Sequence, residues 1–122
     1  MIVFELTKIK GYNEYINACR RNKYAGARMK ADIETEIMWQ IKAQLKQQTV
    51  NTPVTIKFTW VEENEKRDLD NICSAKKFIL DSLVKLNIIP NDNRKYVIGF
   101  EDKFPKVREQ AKVIVEIEGI TQ

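Results

Sequence analysis

The chain has 122 residues, 43% of them hydrophobic and 31% charged, enough for one self-supporting core and ordinary for a soluble protein. Its net charge of +4 is compatible with a polyanionic partner but is weak evidence alone, and histidine is absent. That absence excludes histidine bases, histidine-activated nucleophiles and histidine metal ligands, which leaves catalysis to carboxylates, lysine or tyrosine and makes carboxylates with magnesium the economical solution.

Residues 1–122 read as a single domain without repeats or low-complexity segments. Ile2 to Lys10 reads as a strand that Gly11 stops. Gly11 to Lys30 is the least regular and most basic stretch. Arg20, Arg21, Lys23, Arg28 and Lys30 are interleaved there with Tyr12, Tyr15 and Tyr24. Asn13 is placed to cap a short helical turn through Cys19, and Gly26 is expected to break any long helix. Cations among aromatic rings suit a surface that tracks a nucleic-acid backbone and stacks on unpaired bases; the plainer alternative is a solvated basic loop.

Ala31 to Gln48 turns helical, with Ile33, Ile37, Ile41 and Leu45 recurring every four residues and Glu34, Lys42 and Lys46 off that stripe. Met38 and Trp39 widen the apolar arc, for core packing first and a dimer contact second. After a short link, Pro53 to Val61 alternates as a strand should, with Val54, Ile56, Phe58 and Trp60 on one face.

The most informative stretch runs from Lys66 to Asp92. Asp68 and Asp70 stand two apart, a spacing that points both carboxylates one way only where a strand hands over to a helix. The helix is expected to run on to about Asn87, with Asp70 or Asn71 as its N-cap. On a wheel of about 100° per residue, Asp70, Ser74, Lys77 and Asp81 share one stripe. Ile72, Ala75, Ile79, Leu83 and Leu86 gather opposite, and Lys76 points toward that apolar arc. Asp81 is placed to pair with Lys77 or with solvent. Pro90 ends the run, and Asn91-Asp92-Asn93 is turn chemistry. If that turn folds back over the helix start, three carboxylates meet, and such a cluster calls for a cation because like charges raise one another's pKa. Lys95 to Glu101 then alternates through Tyr96, Ile98 and Phe100. Asp102 to Glu109 reads as a charged loop, and Lys112 to Glu118 as a last strand with Val113, Val115 and Ile117 on one face.

Arg67-Asp68-Leu69-Asp70-Asn71, the helix holding Lys77-Phe78-Ile79-Leu80-Asp81-Ser82-Leu83, and Asn91-Asp92 resemble the RusA family of Holliday junction resolvases. The resemblance implies three magnesium-binding aspartates, here Asp68, Asp70 and Asp92, an assisting helix lysine, and a homodimer that cuts four-way DNA junctions. It also implies an Asn-x-Tyr after the first strand, matched at Asn13 and Tyr15. The chain departs from the family at the lysine, which there follows the second aspartate by four residues, where this chain has Ser74. Aligning the helix body puts the lysine at Lys77, with Lys76 as the other candidate. Asn71, Asn13, Tyr15, Arg20, Arg21, Lys23, Arg28 and Lys30 are the expected DNA contacts.

The expected architecture is a two-layer α+β domain, one mixed β-sheet with two main helices packed on one face, the last two strands forming a long-looped hairpin. The expected function is magnesium-dependent cleavage of branched DNA by a homodimer; the alternative is a non-catalytic basic nucleic-acid-binding domain. No apolar run approaches the roughly 20 residues that span a membrane, the start lacks a signal-peptide layout, and Cys19 and Cys73 form no disulfide framework. Together these suggest a reducing cytoplasm.

Overall fold

The structure, a computed structural model, describes residues 1–46, 48–106 and 110–119, apart from the side chain of Tyr12. The chain runs β1 (Ile2–Thr7), α1 (Tyr12–Arg21), α2 (Lys23–Gln44), β2 (Val54–Val61), α3 (Leu69–Cys73), α4 (Lys76–Lys85), β3 (Val97–Lys103) and β4 (Lys112–Gly119). Gln47, at the end of the expected second helix, and 107–109, at the end of the expected charged loop, lie outside the described residues.

One four-stranded sheet has the order β1-β4-β2-β3. β4 is antiparallel to both β1 and β2, whereas β2 and β3 are parallel. The parallel pair needs a crossover, and α3 and α4 supply it. Alternation along each strand sends one set of side chains under the helices. Phe4, Val115 and Phe58 stand side by side across three strands, each no more than 1% exposed. Ile37 and Ile41 of α2 and Ile79 and Leu83 of α4 close over them. The expected two-layer α+β architecture with a single mixed sheet is what the structure has. No helix among the described residues is long and apolar enough to cross a membrane.

Four local expectations need correction. β3 and β4 form no hairpin, because β2 lies between them. The stretch Gly11 to Lys30 is not a loop but α1 and the first part of α2. In β3 it is Val97 that is buried, while Ile98 and Phe100 are about half exposed; the register with β2 shifts between Val54 and Thr55. That irregularity displaces the alternation from the simple period of two. Finally, Asp68 and not Asp70 or Asn71 precedes the first turn of α3, and the Asp68 side chain makes no capping hydrogen bond.

Gly26 explains the second correction. It is buried inside α2, and a Cβ there would lie 2.4 Å from the Cys19 sulfur of α1. The glycine therefore lets two helices touch, at the cost of helix propensity. Between α1 and α2 the chain turns at Asn22, whose side-chain oxygen accepts from the Tyr24 and Ala25 amides and starts the second helix.

The edge strand β1 is covered by side chains of α2. Gln44 accepts from the Glu5 amide at 2.7 Å and donates to the Glu5 carbonyl at 2.6 Å. Gln40 accepts from the Thr7 amide at 2.8 Å and donates to the Thr7 hydroxyl at 3.1 Å.

Candidate active site

The approach to the Asp68 motif is clamped from behind. Arg67 forms a two-pronged ion pair with Glu62, at 2.7 and 2.8 Å, and donates to the Ile9 carbonyl at 3.1 Å. Both charged side chains are 13% exposed, so this pair is a fixed strut rather than a mobile surface contact. It pins the segment after β2 to the chain leaving β1, immediately before Asp68. Nothing local to Arg67 in the sequence reveals its partner at Ile9, 58 residues earlier.

Asn71 has a structural task. Its side-chain oxygen accepts from the Asn13 amide at 2.9 Å, satisfying an amide of the first turn of α1. Gly11, the residue before α1, has no side chain to cap with, and a Cβ there would sit 2.7 Å from that same oxygen. The last residue of the Asp-x-Asp-Asn motif thus docks α1 on α3. Asp68 and Asp70 stand exposed at the start of α3.

Between α3 and α4 the helix tightens. Ser74 and Ala75 keep right-handed helical dihedrals, but the Ala75 amide bonds to Ile72 and the Phe78 amide to Ala75, both three residues back. The two adjacent lysines then diverge. Lys77 reaches Asp92 at 2.6 Å and Asp81 at 3.0 Å. Lys76 reaches Asp102 at 2.8 Å and lies 4.4 Å from the Phe100 ring centre and 5.2 Å from that of Phe58. Asp102 also accepts from the Trp60 indole at 2.9 Å. Asp102 therefore belongs to β3 and to this cage, not to a loop.

Hydrogen bonds to Asp92 first and Asp81 second hold the Lys77 ammonium above the ordinary lysine value. Across the neutral range it is a cation, suited to stabilising negative charge and unsuited to removing a proton. Its side chain is 63% exposed, so a ligand can reach it.

The three aspartates are not drawn onto one centre: among the described residues no group of three acidic or cysteine side chains is disposed to hold an ion. Asp92 is already engaged by the Lys77 bond. A groove of about 450 Å³ runs beside Asp68, with Leu69, Ile72, Trp60 and Phe104 among its walls.

Of the expected DNA contacts, Asn13, Arg20, Arg21, Lys23 and Arg28 are exposed on α1 and α2. Arg21 and Arg28 join Lys10 along a groove of about 570 Å³ between those helices, where Glu14 and Asp32 also lie. Tyr15 is half buried, its ring edge-on to Phe78 with centres 5.6 Å apart, so it supports α4. Lys30 is engaged by Asp81 at 3.4 Å and by Glu34 at 3.8 Å. Glu34, placed off the apolar stripe by the sequence pattern, is buried and bonded to Lys85. No curated protein matches the chain. The family model described as Endodeoxyribonuclease RusA matches residues 2–118, which span the clamp, the aspartates, both lysines and all of the four strands but Gly119, and the chain belongs to that family.

Proposed function

We propose that the chain is a magnesium-dependent endodeoxyribonuclease that resolves four-way DNA junctions as a homodimer in the cytoplasm, in recombination and repair. Family membership supports the reaction class. The observation that carries the site is the Lys77 ammonium held 2.6 Å from Asp92 on the helical segment that opens with Asp68 and Asp70.

The donor chemistry fits the metal. Magnesium takes oxygen ligands and keeps several waters, so a few exposed carboxylates suffice. Asp68, Asp70 and Asp92 would hold it. Bound there, it would acidify a water and neutralise charge on the scissile phosphate. Lys77 supplies a fixed positive charge to a phosphate brought against Asp92, a contribution that grows as negative charge builds on the transferring group. Arg20, Arg21, Lys23 and Arg28 hold the flanking backbone. A symmetric dimer offers two such sites to the two strands of a junction, and Trp39, 70% exposed on α2, is available to a subunit contact.

The test is cleavage of a synthetic four-way junction with and without magnesium, using the parent and Asp70→Asn. Cleavage should need the metal and disappear in Asp70→Asn, with junction binding unchanged or tighter because a negative charge beside phosphate is gone. An Asp70→Asn protein that cuts at the parental rate removes the metal-site assignment. The second reading, a non-catalytic DNA-binding domain, is favoured by the separation of the three carboxylates. It predicts salt-dependent junction binding with no cleavage at any magnesium concentration.

A further inference from the structure

Lys77 does not stand alone with Asp92. Its ammonium also meets Asp81 at 3.0 Å, one turn along α4. The other oxygen of Asp81 faces Lys30 of α2 at 3.4 Å, and Lys30 in turn faces Glu34 at 3.8 Å. Glu34 is 1% exposed and bonded through its other oxygen to Lys85. Asp92, Lys77, Asp81, Lys30, Glu34 and Lys85 therefore form a row of strictly alternating charge. The row leads from the candidate site across α4 to a buried carboxylate in α2.

Helix stability does not account for this row. Lys77 lies in the first turn of α4, where the helix dipole favours acids, and an acid placed four residues after a lysine is the weaker orientation of such a pair. An arrangement that runs against local preference needs another reason. Positioning supplies one. Lys77 is long and mostly exposed, and its bond to Asp92 competes with any cation that Asp92 serves. Asp81 is 19% exposed and held by Lys30 from the neighbouring helix, so it gives the ammonium a second, fixed partner.

We propose that Asp81, braced by Lys30, is a positioning residue that keeps the Lys77 ammonium aimed at the reacting phosphate when Asp92 is engaged elsewhere. This rests on the reading of Lys77 as the assisting lysine. It also reassigns Lys30 from a phosphate contact to part of the brace.

The experiment uses the full chain and a synthetic junction. Asp81→Asn should bind the junction as the parent does and cleave it about tenfold more slowly in single turnover, since a small misplacement of a catalytic group has effects of that order or larger. Asp81→Glu should recover part of the loss. In a Lys77→Met background, Asp81→Asn should slow the residual cleavage no further, the non-additivity expected of two residues acting as a unit. Lys30→Met should slow cleavage while leaving the salt dependence of binding unchanged, whereas loss of a phosphate contact lowers that slope by about one. As a readout apart from activity, the Lys77 ammonium resonance should be visible in metal-free Asp92→Ala, where Asp92 no longer holds the ammonium, and should broaden when Asp81→Asn is added.

Parental cleavage by Asp81→Asn, an equal slowing in both backgrounds, or an unaltered Lys77 resonance overturns the proposal while leaving the reading of Lys77 in place. A reduced salt slope for Lys30→Met overturns the brace. Parental cleavage by Lys77→Met overturns the reading of Lys77, and the positioning role with it.

Discussion

Lys76 and Lys77 show how much one residue of helical phase decides. Consecutive positions differ by about 100° around the axis, enough to send one ammonium to Asp92 and the other into the cage of Phe58, Phe100 and Asp102. Lys76 is 18% exposed and offsets the charge of Asp102, so Lys76→Met should destabilise the fold by about 1–3 kcal/mol in denaturant titration, with single-turnover cleavage near parental. Lys77→Ala should behave oppositely, with melting unchanged and cleavage down on the order of a hundredfold or more. Because its folded-state value is raised, Lys77 keeps its proton, and its ion pairs, until pH climbs past the ordinary lysine range. The ratio of parent to Lys77→Ala cleavage rates should therefore stay constant through neutral pH; a ratio that collapses below pH 8 or so would mean that a neutral amine does the work. The wheel separated the two lysines from sequence alone. Asp102 was invisible to it, because a partner 26 residues away is fixed by sheet register and not by local spacing.

Strands were legible as elements, and so was α2 from Ala31 onward; the full length of α1 and the first turns of α2 were not, for a physical reason. Burial of one sheet face imposes a period of two that β1, β2 and β4 display openly. Gly26 reads as a breaker because its gain, contact with Cys19 of a different helix, is tertiary. Gly26→Ala should destabilise by about 1–3 kcal/mol through overpacking, despite the better helix propensity of alanine. Cys19→Ala placed on top should restore most of that loss; failure of the double variant to recover in urea titrations would show that backbone contact, not the thiol, sets the spacing. The Asp-x-Asp-Asn spacing was legible too, but the role of Asn71 as the cap for α1 depends on a segment 58 residues earlier. The joint at Ser74 and Ala75 is likewise hidden, since both residues suit a continuous helix.

For the whole molecule, the layers followed from the order of elements, while the strand order did not. Two adjacent strands joined by a loop suggest a hairpin by default; here the apolar face of β4 is better buried in the middle, between β1 and β2, where Val115 and Ile117 are fully enclosed. The charge distribution acts at this scale as well. Arg20 and Arg21 sit in the last turn of α1, where cations suit the helix dipole, so their exposure alone does not establish a DNA contact. If both neutralise phosphates, Arg20→Ala with Arg21→Ala should lower the salt slope of junction binding by about two without changing the melting temperature appreciably. An unchanged slope would move the contact surface away from α1.

The two glutamines that bond to β1 bear on assembly. In the language of polymerisation, a sheet with two reactive ends is a bifunctional monomer and can grow into a chain, whereas a sheet with one end blocked can only couple once and stop. Gln40 and Gln44 make this sheet monofunctional: the Glu5 and Thr7 backbone groups of β1 that would template another strand are already taken by α2, and among the described residues it is the β3 edge that remains to propagate. Replacing both with alanine frees the second end, and light scattering of the variant during mild heating should then record open-ended growth where the parent terminates.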